Sequence, residues 1–159
     1  MIAKIEKREN GYAAIFEREY HHSVASVWSW LTNNEKLAKW FSELSVAELK
    51  KGGVMKFDMG DGTFEEMEII AVTPYEELAF MWGEDRVYFY LKEEKDKCRL
   101  TFIEKLTNVT PHTPKDLAGW HVCLDVIGEL LDGRTVHNRK QLWESWYEKY
   151  KQALADYQE

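Results

Sequence analysis

The chain has little of what marks a secreted, membrane-spanning or nucleic-acid-binding protein. It contains two cysteines, Cys98 and Cys123, far apart and outside any CxxC or paired Cys/His pattern. Both are expected to be reduced, and neither a disulfide scaffold nor a zinc site is indicated. No apolar run approaches the roughly 20 residues of a membrane-spanning helix, and the opening MIAKIEKREN has no signal-peptide core. A cytoplasmic protein without membrane insertion is the expectation. Basic charge is also short: 21 lysines and arginines stand against 28 aspartates and glutamates, a formal net charge of -7. Without a basic stripe to offset it, such a chain repels a phosphate backbone, so no nucleic-acid partner is expected. Linkers, repeats and low-complexity tracts are missing, and residues 1–159 read as a single domain with residues 136–158 as an appended C-terminal helix.

Catalytic fingerprints are missing too. There is no GxSxG elbow, phosphate loop, dinucleotide fingerprint or HExxH. The histidines are scattered: His21 and His22 precede a helix, His112 sits in a proline-flanked loop and His137 between helices. In HVCLD, the side chains of His121, Cys123 and Asp125 point in different directions on a helix, so they do not form a metal site. No catalytic residue, metal or cofactor is assigned. A pocket enzyme working through one or two polar groups leaves little trace in sequence, so that class stays open.

Aromatics are plentiful: seven tryptophans, eight tyrosines and seven phenylalanines, 14% of the residues. Rings bury large areas and pack with gaps between them. VWSWLTNNEKLAKWF alone holds three tryptophans and a phenylalanine. Ser23 is a plausible N-cap for its first helix, and Asn34 for its second, which carries Leu37, Trp40 and Phe41. GYAAIFEREY reads as the first strand, with Ala14, Phe16, Arg18 and Tyr20 on one face. After SVAELK the period is two throughout. Met55, Phe57 and Met59 share a face, as do Leu78, Phe80 and Trp82; Val87, Phe89 and Leu91; and Leu100, Phe102 and Glu104. KGG and GDG supply the tight turns. TPKDLAGWHVCLDVIGELL then places Leu117, Trp120, Leu124, Ile127 and Leu131 along one helical stripe, and a last amphipathic helix carries Leu142, Trp146, Tyr150 and Leu154. Strand, two short helices, antiparallel meander and long helix make an α+β fold with a curved sheet wrapped around a helix.

These segments resemble a known family. VWSWLTNNEKLAKWF, KGG, Pro74, Leu78, Trp82 and AGW with Leu124 occur in the order seen in proteins related to the activator of the heat-shock protein 90 ATPase. Those belong to the START-like, or SRPBCC, superfamily of helix-grip folds. WESWYEKYKQAL resembles the C-terminal helix that many bacterial members append. Arg18 matches an arginine common on the first strand, and Glu104 stands where relatives often carry a histidine or another polar residue. His21, His22 and Ser23 replace the usual Asp-Ala-Pro-like start of the first helix. The resemblance implies a sheet curled around the helix Gly119–Leu131, a cavity between them, and Trp40 and Phe41 near its mouth. Related superfamily members use such cavities for lipids, sterols, polyketides and other apolar molecules.

Two readings of the inner rings remain open at this point: they fill the interior, or they line a cavity for a small apolar or aromatic molecule. On the second reading the ligand-binding residues are Arg18, Trp40, Phe41, Met55, Phe57, Met59, Phe80, Trp82, Phe89, Phe102, Glu104, Trp120 and Leu124. Arg18 and Glu104 each lie on an apolar face, either as a structural ion pair or as an anchor for a ligand's polar end; His121 beside Glu104 is a further candidate. The family implies a chaperone ATPase-activating cofactor as an alternative function, and a small cyclase or hydrolase as another. Trp143, Trp146 and Tyr147 exceed what one buried stripe needs, which points to a homodimer through the last helix.

Overall fold

The period-two segments pair, mostly with their sequence neighbours, into one antiparallel sheet. The computed structural model describes residues 2–157. Its elements are β1 (Lys4–Arg8), β2 (Gly11–Tyr20), α1 (Val24–Thr32), α2 (Asn34–Trp40), β3 (Leu44–Glu48), β4 (Val54–Asp58), β5 (Phe64–Thr73), β6 (Glu77–Trp82), β7 (Asp85–Glu94), β8 (Lys97–Leu106), α3 (Thr113–Leu131) and α4 (Arg139–Ala153). The strand order is β1-β2-β8-β7-β6-β5-β4-β3. β2 therefore lies beside the last strand, with Phe16 opposite Phe102 and Ala14 opposite Glu104. Register shifts between Val46 and Glu48 and between Ile69 and Ala71 are the kind of irregularity that bends a sheet.

α3 lies in the concave face. Leu117, Trp120, Leu124 and Ile127 are buried there together with Phe80, Val87, Phe89, Leu100 and Phe102. The helix begins where Pro114 sits in its first turn, a position that tolerates a missing N–H. β2 is fastened to α3 by Tyr20, whose hydroxyl donates to the Leu124 carbonyl at 2.7 Å. A Cβ at Gly128 would come within 3.1 Å of the Tyr20 ring, so the missing side chain leaves room for this contact.

The strands and helices fall close to the expected segments, with three differences. β1 was not anticipated, because its lone isoleucine among charges, KIEKR, shows no apolar stripe; it is an edge strand held by β2. The second helix is capped by Asn33, whose Oδ1 accepts from the amides of Glu35 and Lys36. Asn34 instead exchanges two hydrogen bonds with the Val46 backbone, tying α2 to β3. On α4, Trp143, Trp146 and Tyr147 are half-buried rather than free. Trp146 stacks on His121 at 3.6 Å, and the Trp143 indole N–H donates to the Lys115 carbonyl.

Candidate functional site

Three acidic side chains from separate elements meet at the end of the sheet where α3 begins. Glu104 points inward from β8, in register with Val87 and Ala14. Asp85 opens β7 after the turn at Gly83 and accepts from the Thr107 amide at 3.0 Å. Asp116 lies in the first turn of α3, where the helix end favours a negative charge. One carboxylate oxygen from each lies within 4.8 Å of the others. Trp82 donates its indole N–H to Asp116 at 3.0 Å.

The environments of these carboxyls differ. Glu104 is fully buried and neither of its oxygens has a hydrogen-bond partner. Burial raises its pKa well above the ordinary value, and the neighbouring Asp116 and Asp85 raise it further. Asp85 is raised as well, chiefly by burial and against the pull of the Thr107 amide. Like charges this close do not all ionise freely, so the site holds a proton on Glu104. The cluster can share that proton, donate it, or accept a positive charge in its place. The Trp120 indole N–H, buried behind Trp82, is also without a partner.

Above the acids opens a pocket of about 400 Å³. Its apolar wall is Phe57, Met67 and Trp82, and Asp85 and Asp116 stand at its acidic side. A larger hollow of about 710 Å³ lies near the far end of α3, against Arg18 and Leu124. Two of its charged groups are paired, Arg18 with Asp125 at 2.8 Å and His22 with Asp132 at 2.6 Å, while Arg18 Nη2 is buried without a partner. The smaller pocket is the better candidate, because a wall of aromatic and methionine side chains there meets three converging carboxylates, one of them fully buried.

The residues singled out from sequence separate into groups. Phe57, Met59 and Trp82 line the 400 Å³ pocket, Met59 being 52% exposed just beyond the end of β4. Met55, Phe80, Phe89, Phe102, Trp120 and Leu124 are buried in the core. Between sheet and helix the rings close on one another: Phe102 and Trp120 centroids are 4.7 Å apart, Phe89 and Phe102 4.9 Å, Trp82 and Trp120 5.1 Å. The ring-walled pocket therefore lies at the N-terminal end of α3, and the hollows that border Gly119–Leu131 lie outside these packed rings. Trp40 is buried, its indole N–H donating to the Trp30 carbonyl, and Phe41 packs on Phe57, Trp82 and Trp120. Both border a separate cleft of about 310 Å³ beside Cys123 and Arg139.

Arg18 and Glu104 do not pair. Arg18 takes Asp125 of α3, and Glu104 meets other acids. His121 is likewise engaged away from the acidic cluster: its Nδ1 is 2.7 Å from the Tyr150 hydroxyl and its Nε2 3.4 Å from Asp125. His121 and Asp125, four residues apart, thus share a helix face rather than pointing apart as expected. Asp85 and Asp116 were not anticipated. One sits in a turn and one in a helical first turn, both ordinary places for an aspartate, and only the folded chain brings them to Glu104.

An antiparallel curved sheet gripping one long helix, with a pocket at the helix's N-terminal end, defines a START-like helix-grip protein. The chain belongs to the family described as Activator of Hsp90 ATPase homolog 1-like protein, whose model matches residues 21–132. Among solved structures it is similar to a conserved protein of unknown function from Enterococcus faecalis, at 25% identity and TM-score 0.86 over 99% of this chain and 92% of that one. CalU16 from Micromonospora echinospora shares the fold at 21% identity and TM-score 0.74, over 94% of this chain and 95% of that one. The Aha1 dimer from Colwellia psychrerythraea does so at 17% identity and TM-score 0.65, over 75% and 95% respectively. No curated protein matches the chain. No helix among the described residues is long and apolar enough to cross a membrane.

Proposed function

We propose that the protein is a cytoplasmic binding module for a small apolar or aromatic molecule, taken up in the 400 Å³ pocket at the start of α3. The observation that carries this reading is the pocket itself: Phe57, Met67 and Trp82 give it a ring-lined wall, and a few polar groups converge at its base. Such a combination suits one small ligand held by its apolar body and oriented by its polar end. Phe57 and Trp82 are set edge to face with Phe41 and with each other, at 5.8 to 6.0 Å. The wall is therefore braced before any ligand arrives, which keeps the ordering cost of binding low. Membership in a helix-grip family supports the same reading. A thermal-shift screen of aromatic metabolites and lipids checks it, since a ligand selective for the folded state raises the melting temperature. A pocket that admits no member of a broad library would refute it.

The family match favours one second reading, a cofactor that stimulates a heat-shock protein 90-type ATPase, with α4 as a surface for self-association or for a partner chain. Trp143 and Tyr147, each half-buried, stack at 5.2 Å along that helix. Unchanged ATP turnover of a purified chaperone at saturating protein would eliminate the cofactor role, and a monomer by sedimentation at high concentration would eliminate the dimer.

A further inference from the structure

The pocket has a charge pattern that a purely apolar ligand leaves unexplained. Among the described residues, Glu65, Glu84, Asp85 and Asp116 line it and no lysine or arginine does; His112 is the one basic-capable side chain among them. Behind Asp85 and Asp116 stands Glu104, 0% exposed and with both oxygens unpartnered. Removing a carboxyl from water without giving it a partner is unfavourable; a proton shared with Asp116 relieves this without a ligand, and a bound positive charge would relieve all three acids together. The aromatic wall fits the same guest, because the faces of Trp82 and Phe57 attract a cation electrostatically.

We propose that the pocket takes a small organic cation, a primary amine whose ammonium group contacts Asp85 and Asp116, with Glu104 behind them, while its apolar body lies against Trp82 and Phe57. The inference rests on the small-molecule reading above and names the chemistry of the ligand's polar end. An ammonium offers three donors to the acids. A divalent metal ion fits less well: it wants six or more oxygens or bound waters, while Asp116 already accepts from Trp82 and Glu104 is shut off from water. The arriving positive charge displaces the Glu104 proton to solvent, so binding strengthens as pH rises. The other titratable groups facing Glu104 are Asp116 from α3 and Asp85 from β7, with Glu65, Glu84 and His112 farther out on the pocket wall.

The test compares three probes of one shape on the full chain by calorimetry: 2-phenylethylamine, 2-phenylethanol and 3-phenylpropanoate. The amine is expected to bind about tenfold or more tighter than the alcohol, the scale of one added charge-assisted hydrogen bond, and the carboxylate weakest. D116N should weaken the amine about tenfold, and the alcohol, which carries no charge, by less. E104Q should flatten the rise of amine affinity with pH. Equal binding of amine and alcohol would overturn the cation inference while leaving the small-molecule reading intact. Binding of none of the three would overturn the cation inference, and the small-molecule reading would then be decided by the library screen. Tighter binding of calcium than of the amine, abolished by D116N, would replace the amine by a metal.

Discussion

Trp82 and Asp116 join the aromatic wall to the acidic cluster through one hydrogen bond of 3.0 Å between β6 and the first turn of α3. The bond does two things: it fixes the indole that walls the pocket, and it occupies one oxygen of a carboxylate crowded by two others. A donor to a carboxylate is worth more than a neutral pair. Trp82→Phe keeps an apolar ring but deletes the donor, and should cost about 1–2 kcal/mol, read as a lower urea midpoint. Asp116→Asn keeps an acceptor for Trp82 and removes one of the three clustered acids. It should be at least as stable as the natural chain. If Asp116→Asn were instead the more damaging change, the cluster would be attractive rather than repulsive, and a bound cation would have to be present throughout.

Glu104 gives a pH signature of definite sign. Its folded pKa is raised above the ordinary 4.5. The stability it confers is complete below that value and is lost as pH rises through the folded value. Glu104→Gln, whose amide can donate to Asp116, should stabilise the protein at pH 7–8 by about 1–2 kcal/mol, the scale of an unsatisfied buried polar group. The difference should vanish below about pH 4.5. Parallel urea titrations across pH decide it. A variant less stable than the natural chain at pH 8 would mean that ionised Glu104 already has a partner.

Much of the architecture was legible because alternation and helical spacing were clean. KCRLTFIEKL alternates without a break and is β8 from Lys97 to Leu106, while the stripe from Leu117 to Leu131 belongs to α3. The inward direction of Glu104 was legible for the same reason: it shares a face with Leu100 and Phe102. Its partners were not, since Asp85 and Asp116 are separated from it by 19 and 12 positions and sit in unremarkable local settings. Arg18 reads from sequence as a charge on an otherwise apolar face, with Glu104 as one candidate partner, whereas its acid is Asp125. A sheet's register does not tell which helix residue reaches back to it, and Asp125 does. β1 was hidden by its charges, as edge strands often are.

Tyr20 and Gly128 allow a double-mutant test of how α3 is seated. Alanine is the better helix former by about 1 kcal/mol, yet a Cβ at Gly128 would press to 3.1 Å on the Tyr20 ring. That ring is buried and pinned by its bond to the Leu124 carbonyl, so it cannot swing aside without losing the bond. Gly128→Ala alone should therefore be neutral to destabilising. In a Tyr20→Leu background the same change should gain up to about 1 kcal/mol. Denaturant unfolding of the four proteins gives the coupling, and simple additivity would mean the contact carries no strain.

His121, fully buried like Glu104, leads to the last expectation. The amide of Ala3 donates to the Tyr150 hydroxyl at 2.9 Å, which leaves the hydroxyl proton to point at His121 Nδ1, 2.7 Å away. Nδ1 is then the acceptor and the ring proton sits on Nε2, facing Asp125. Burial lowers the His121 pKa below the ordinary 6.5, against the pull of Asp125. The neutral ring's contribution is thus present above pH 6.5 and is lost as pH falls through the folded value. Nitrogen NMR should show a neutral Nε2–H tautomer at pH 6.5. Tyr150→Phe removes the hydroxyl and leaves the Ala3 amide and Nδ1 unsatisfied, which should cost about 1–3 kcal/mol and speed exchange of the Ala3 amide. The lower His121 pKa in this variant is not expected to rise, because burial under Trp146 remains. Finding instead an Nδ1–H tautomer, or an unchanged Ala3 exchange rate in Tyr150→Phe, would show that the N-terminal strand is not tethered through this chain of bonds.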